Sequence, residues 1–238
     1  MRRYNLAVLG ISETYWTEAE QQRLGIEEVL LYSDHEEENS SHTQGVALML
    51  SKEARSALIE WEFHGSRIVK VSFKTKKEEI IMIIIQCDAP INDSNYDDKD
   101  QFYDGLQSII VKCPRRNLTI QKEDLDPEVG MGINSYEDIM GQNGLGERNE
   151  NRKRFANLCA FKKLVIGGKI FPHKSIHKAT WVSSNHTTEN QINYMCISKR
   201  FTRLMEDVRT RRRANIATDH RYGKPAKDLR KEEQEDSN

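Results

Sequence analysis

The chain has 238 residues and a formal net charge of −1. This length suits one α/β domain with a substantial buried core, and the balanced charge excludes a general electrostatic attraction to nucleic acid, so any polyanion has to be held by local basic patches. The longest apolar stretch, residues 80–85, is too short to cross a bilayer, and no signal-type segment opens the chain. We therefore expect a soluble intracellular protein, nuclear or cytoplasmic, without membrane contact.

Four cysteines are spread along the chain without a Cys-x-x-Cys pair. That spacing argues against a structural zinc site and indicates reduced thiols. The composition does not indicate an oligomeric state.

Short apolar runs predict the strands of the chain. Residues 6–11 and 45–50 are predicted as buried strands, and residues 79–87, which are rich in β-branched side chains, give the strongest strand pattern. Residues 67–73 alternate between apolar and polar, as in a half-buried strand. Further strands are predicted at 118–120, 180–182 and 191–197, the last two joined by a polar turn.

Helical spacing of apolar residues predicts two helices, at 99–112 and 152–163, and residues 17–24 are polar and compatible with a helix. Strands that alternate with helices favour an α/β layered domain. We predict one folded core over residues 1–208. Residues 209–238 are predicted as a charged, mostly disordered tail that includes the basic run from Arg209 to Arg213.

Acidic residues follow several of the predicted strands. Glu13 ends the first apolar run, and a carboxylate there is either a solvated loop residue or a metal ligand. Asp124 and Asp126 can bind a metal or activate water, or they form an acidic turn before Pro127. Asp219 and His220 place an acid beside an imidazole, and the same two readings remain open for that pair.

Seven short motifs occur in a fixed order along the chain, and together they resemble the endonuclease/exonuclease/phosphatase superfamily. The resemblance is strongest to the apurinic-type endonuclease domain of RTE-like LINE retrotransposons, and it spans about residues 4–220. The motifs are Ser12-Glu13-Thr14, Gln86-Cys87-Asp88-Ala89-Pro90, Asp124-Leu125, Asn149-x-Asn151, Thr180-Trp181, Asn190-Gln191-Ile192-Asn193-Tyr194 and Thr218-Asp219-His220.

The resemblance implies a four-layer sandwich of two packed β-sheets flanked by helices, and metal-dependent nicking of DNA. It implies that Glu13 and Asp219 bind Mg²⁺ or Mn²⁺, that Asp124 handles the proton of the attacking water or leaving group, and that His220 donates to the scissile phosphate. It also implies that Trp181, Asn149 and Asn151 contact the substrate.

Three positions depart from the family pattern at the implied site. Asp88 stands where the family has Tyr, Asp126 where it has Asn, and Asn193 where it has Asp. The first two exchanges replace hydrogen-bond donors to phosphate by anions, and the third removes the charged partner of His220. The family's first strand would precede Met1, and the apolar strand expected after His220 is replaced by polar residues. We therefore expect a fold truncated at both ends.

The sequence thus predicts a retrotransposon-type DNA endonuclease whose activity is impaired and which binds DNA weakly if at all. Two alternatives remain open. One is a catalytically inactive remnant that acts only as a binding or interaction domain. The other is a phosphatase of the same superfamily.

Overall fold

The structure is a computed structural model that describes residues 5–14, 20–24, 28–33, 45–91, 94–115, 117–124, 150–167, 181–182, 189–190 and 193–207. Two large β-sheets pack face to face, and helices cover the larger sheet from outside. This arrangement confirms the predicted α/β class with two packed sheets and flanking helices. Among the helices described, none is long and apolar enough to cross a membrane.

The smaller sheet has four antiparallel strands in the order β1-β4-β3-β2. Its strands are β1 (Val8–Thr14), β2 (Glu20–Leu24), β3 (Glu28–Tyr32) and β4 (Gly45–Leu50). Buried residues of β3 and β4 pack against Val69, Val71 and Phe73 of the larger sheet and form the core between the two sheets. A short helix, α1 (Lys52–Ala57), contributes Ala54 to that core.

The larger sheet has six strands in the order β5-β6-β7-β8-β12-β9. They are β5 (Leu58–Phe63), β6 (Ile68–Lys74), β7 (Ile81–Asp88), β8 (Leu118–Asp124), β9 (Leu164–Ile166) and β12 (Asn193–Ser198). β7 and β8 are parallel, and the other neighbours are antiparallel. A separate two-stranded sheet joins β10 (Trp181–Val182) to β11 (Glu189–Asn190).

Helix α2 (Tyr96–Lys112) connects β7 to β8, since parallel neighbours require a crossover. Asn95 caps its N-terminus, since the Asn95 side chain accepts a hydrogen bond from the Asp98 amide at 2.7 Å. Its apolar stripe packs against the larger sheet together with helix α3 (Glu150–Lys162). A 3₁₀ helix, Lys199–Leu204, follows β12.

Three secondary-structure predictions are wrong. Residues 20–24 form an edge strand rather than a helix, because pairing with β3 overrides their local helix propensity. β6 is buried on both faces rather than one, because it lies between the smaller sheet and the helices. β10 and β12 are not joined directly by a turn, because β11 lies between them in the chain and pairs with β10.

Candidate functional site

Three of the residues singled out in the sequence lie side by side at one end of the larger sheet. Asp88 is the last residue of β7 and pairs in register with Asp124, the last residue of β8. Asn193, the first residue of β12, pairs with Asp124 from the other side. Neighbouring strands lie about 4.8 Å apart, so the backbones of these residues form one row across three strands. We refer to this row, with the adjoining end of β1, as the acidic end.

A hydrogen bond between the two sheets brings β1 to the acidic end. The Gln86 side-chain amide donates to the Ser12 hydroxyl at 3.1 Å, although 74 positions separate the two residues. Gln86 is almost completely buried, at 1% exposure, and lies two positions before Asp88, on the same face of β7. Because Glu13 directly follows Ser12, this contact places its backbone near the row.

Strand β1 is irregular where it carries Glu13. Its pairing with β4 shifts register between Ile11 and Thr14, and such bulges redirect the chain next to functional sites. The Thr14 hydroxyl is buried and has no hydrogen-bond partner among the residues described. Gly45 faces it so closely that an added Cβ would overlap the hydroxyl and lie 2.8 Å from the Thr14 carbonyl oxygen.

Asp88 has a cationic partner that the sequence patterns did not reveal. The Arg67 guanidinium lies 3.9 Å from the Asp88 carboxylate and donates to the Asp88 carbonyl oxygen at 3.2 Å. The backbones of the two residues also pair, since the Asp88 amide donates to the Arg67 carbonyl oxygen at 3.0 Å. Burial lowers the pKa of Arg67, and the charges of Asp88 and Asp98 oppose that shift. The expected repulsion of phosphate by Asp88 is therefore reduced by an adjacent positive charge.

The remaining predicted site residues are only partly covered by the structure. Asn151 lies in the first turn of α3 and Trp181 in β10, and for both it is the backbone that is described. Asp126, Asn149, Asp219 and His220 lie outside the described residues, as does the basic run from Arg209 to Arg213. The tail predicted at 209–238 lies outside them too. The structure therefore brings together Glu13, Asp88, Asp124 and Asn193 by backbone position.

The residue types at the acidic end suit a hard divalent cation, because Mg²⁺ and Mn²⁺ prefer carboxylate oxygens. The bulge in β1 brings the backbone of Glu13 to the end of the sheets where Asp124 lies. The described side chains contain no group of three His, Cys, Asp or Glu residues that could hold an ion. The donor chemistry of Glu13 and Asp124 suits such an ion, and Asp219, the other ligand that the resemblance implies, lies outside the described residues.

Arg67 was not predictable as a site residue from the sequence. It belongs to no motif, and only its position directly before β6 indicated that it would lie at a strand end. Its pairing with Asp88 follows from the register of β6 against β7, in which Ile68 lies opposite Cys87. That register was not readable from either segment alone.

No protein-family model matches the chain. The chain is similar to craniofacial development protein 2 of Bos taurus, with 28% identity over 221 residues that cover 93% of this chain and 36% of the relative. The protein of the same name from Tragulus javanicus is also 28% identical over 221 residues, which cover 93% of this chain and 37% of that relative. The chain thus spans little more than a third of the length of the curated relatives it matches.

Among solved structures, the chain resembles humanized D. rerio TDP2 carrying 14 mutations. The TM-score is 0.51 and the identity 10%, and the match covers 83% of this chain and 72% of that chain. At this identity the likeness concerns the fold. It supports an α/β fold with two packed sheets and flanking helices.

Proposed function

We propose that the acidic end is the remnant of a divalent-metal-dependent site that nicks DNA, and that the chain derives from a retrotransposon endonuclease. The observation that carries the proposal is the row formed by Asp88, Asp124 and Asn193, to which the Ser12–Gln86 hydrogen bond joins the end of β1. Residues from widely separated motifs thus meet at one end of two packed sheets. The order of the sequence motifs and the fold likeness support the same proposal.

In this proposal each residue has a distinct chemical task. Glu13 and Asp219 hold the divalent cation, which when bound stabilises negative charge on the phosphate. Asp124 accepts the proton of the attacking water, and His220 donates a hydrogen bond to the phosphate. Trp181, Asn149 and Asn151 contact the nucleic acid.

The substitutions at this site weaken catalysis in the proposal. Removal of one preorganised donor to the transition state typically lowers the rate about 10²–10³-fold. Asp88 and Asp126 replace two such donors, and Asn193 removes the charge beside His220. We therefore expect Mg²⁺-dependent nicking that is slow but measurable with prolonged incubation.

The test is conversion of supercoiled plasmid to open circle with Mg²⁺ or Mn²⁺, repeated with a chelator. Glu13→Gln and Asp124→Asn should each abolish the conversion, and Asp97→Asn, at an exposed acid in the first turn of α2, should leave it unchanged. Nicking that survives Glu13→Gln and Asp124→Asn would contradict the proposal. Hydrolysis of p-nitrophenyl phosphate without nicking would identify a phosphatase instead.

A second candidate is a domain that binds without catalysis. The Arg67–Asp88 pair favours it, because the position at which the family has a phosphate donor is engaged in a largely buried ion pair within the protein. Absence of nicking under all metal conditions, with DNA binding retained, would support this candidate.

Restoring the family residues at the three substituted positions distinguishes a site whose nicking is impaired from one that has lost nicking altogether. Asp88→Tyr, Asp126→Asn and Asn193→Asp together should raise nicking, because phosphate donors and the charged partner of His220 are restored. Asp88→Tyr also leaves Arg67 without this carboxylate, so circular dichroism must first show that the triple variant folds. Adding His220→Ala should remove the gain. A folded triple variant without any gain would contradict impairment by these substitutions.

A further inference from the structure

A groove of about 290 Å³ lies at the opposite end of the larger sheet from the acidic end. It forms where α2 and α3 end, where β9 begins and where β12 ends in Ser198. Five positively charged residues line it, together with the ring of Phe161. These cations, which with Phe161 define the basic groove, are Arg115, Lys162, Lys163, Lys199 and Arg200.

The basic groove is separate from the acidic end. β12 begins at Asn193 in the acidic row and ends at Ser198 in the groove, five residues away. At about 3.4 Å per residue the two places are about 17 Å apart. Among the residues that the structure describes, no carboxylate lines the groove, whereas the acidic end carries Asp88 and Asp124 in one row.

The helix ends explain part of this positive charge. Cations near a helix C-terminus interact favourably with its dipole, and Lys162 also donates to the Val111 carbonyl oxygen of α2 at 3.1 Å. Lys163, Lys199 and Arg200 have no ion-pair partner among the residues that the structure describes. Burial lowers the pKa of Lys162, and the charge of Arg115 adds to the shift while Cys113 opposes it.

Two features indicate that the charges serve a ligand rather than the fold. The Phe161 ring is 61% exposed beside the cations, although exposure of a large apolar ring to water is unfavourable. Lys163 has a left-handed backbone with φ of 54°, where glycine is the usual residue at a helix end. The chain therefore keeps a lysine at a position where its backbone is strained.

We propose that the basic groove binds the phosphate backbone of single-stranded nucleic acid, and that Phe161 stacks against a base. Positive charges without acidic partners complement phosphates, and an exposed aromatic ring beside them is the combination that single-strand binding sites use. A duplex keeps its bases stacked inside and cannot offer a base face to Phe161. Because the overall charge of −1 gives no general attraction for a polyanion, a local patch such as this one is needed to hold it.

This binding does not depend on the proposed nuclease activity. It is measured without divalent metal, by fluorescence anisotropy of a labelled oligothymidylate at several salt concentrations. Failure of the nicking assay would thus not affect this proposal, and failure of this binding would not affect the nuclease proposal.

Lys199→Gln/Arg200→Gln is the first test variant. Each lost phosphate contact should reduce the magnitude of the negative slope of log K against log salt by about 0.7, so the double variant should reduce it by about 1.4. Lys76→Gln/Lys77→Gln is the matched control, since it removes the same charge from exposed residues in the turn between β6 and β7, outside the groove. An equal fall in the control would show non-specific attraction and overturn the proposal.

Phe161→Ala tests the stacking contact and should weaken oligothymidylate binding about fivefold or more. Binding of a heparin fragment should not change in that variant, because heparin has no bases to stack. Equal weakening of both ligands, or of neither, would overturn the assignment to nucleic acid. Circular dichroism of each variant verifies the fold, which these exposed substitutions should leave intact.

Discussion

The two ends of the larger sheet differ in how their polar residues are held. At the acidic end Gln86, Asp88 and Thr14 are buried, with exposures of 1%, 7% and 5%, and Gln86 donates across the two sheets to Ser12 of β1. At the basic groove the cations are mostly exposed. Substitution at the first end should therefore alter stability together with any activity, whereas substitution of the exposed side chains at the second, apart from Lys163 with its left-handed backbone, should alter binding alone.

The largest effect is expected for Arg67→Ala. The Asp88 carboxylate then remains buried without its guanidinium partner, and breaking a buried pair from one side typically costs about 3 kcal/mol. Urea unfolding should show this loss in the free energy of unfolding. Arg67→Ala/Asp88→Asn should recover part of it, since the amide carries no charge. An Arg67→Ala variant as stable as the parent would show that the pair contributes nothing to the acidic end.

The second largest effect is expected for Gly45→Ala, which should destabilise the fold by about 1–3 kcal/mol. The new methyl group overlaps the Thr14 hydroxyl and approaches its carbonyl oxygen. Thr14→Val is the companion variant and should be neutral or stabilising, because it replaces a buried hydroxyl that lacks a partner among the described residues. Thermal unfolding of both variants measures the contrast. A neutral Gly45→Ala would mean that β1 is free to move away from β4.

Gln86→Leu should cost about 1 kcal/mol of stability through the lost hydrogen bond to Ser12. If the nuclease proposal holds, nicking should fall about tenfold or more, because the end of β1 that carries Glu13 loses an anchor. Ser12→Ala and the double variant complete a double-mutant cycle. Strictly additive effects in that cycle would show that the two side chains do not couple the sheets.

At the basic groove, Lys163→Gly should increase stability, in contrast to Arg67→Ala at the acidic end. Glycine relieves the left-handed backbone and should raise stability by about 1 kcal/mol, while the salt slope of oligothymidylate binding falls by about 0.7. Lys163→Ala removes the same charge without relieving the backbone. Equal thermal stability of the two variants would show that the backbone is not strained.

The smallest expected effect is a pH dependence of stability that arises from Glu62 on β5. The hydrogen bond from Lys70, at 2.9 Å, lowers the pKa of Glu62, and the charges of Lys70 and His64 add to the shift. A lowered folded-state pKa means that the stabilisation is present above the unfolded value of 4.5 and disappears as pH falls through the folded value. Between neutral pH and pH values below 4.5 the parent should lose slightly more stability than Glu62→Gln. Parallel pH profiles would exclude this contribution.

Much of the local structure was predictable because it depends on neighbouring residues. The apolar runs of β4 and β7 and the helical spacing in α2 and α3 are visible within short windows, and the structure contains each of these elements. The edge strand β2 was not predictable in this way, because its residues become a strand only through pairing with β3.

By itself, the sequence determined the central strands β4, β7, β8 and β12 and the two long helices, the order of the motifs and the choice of Glu13, Asp124 and Asn193 as candidates. Only the tertiary structure decided that Arg67 balances Asp88, that Ser12 contacts Gln86, and that cations from three separate segments line one groove. The physical reason is the difference in sequence distance over which these features act. Periodicity reports which face of an element is buried, whereas register and sheet packing join residues that are distant in sequence, such as Ser12 and Gln86, 74 positions apart, and depend on every contact between them.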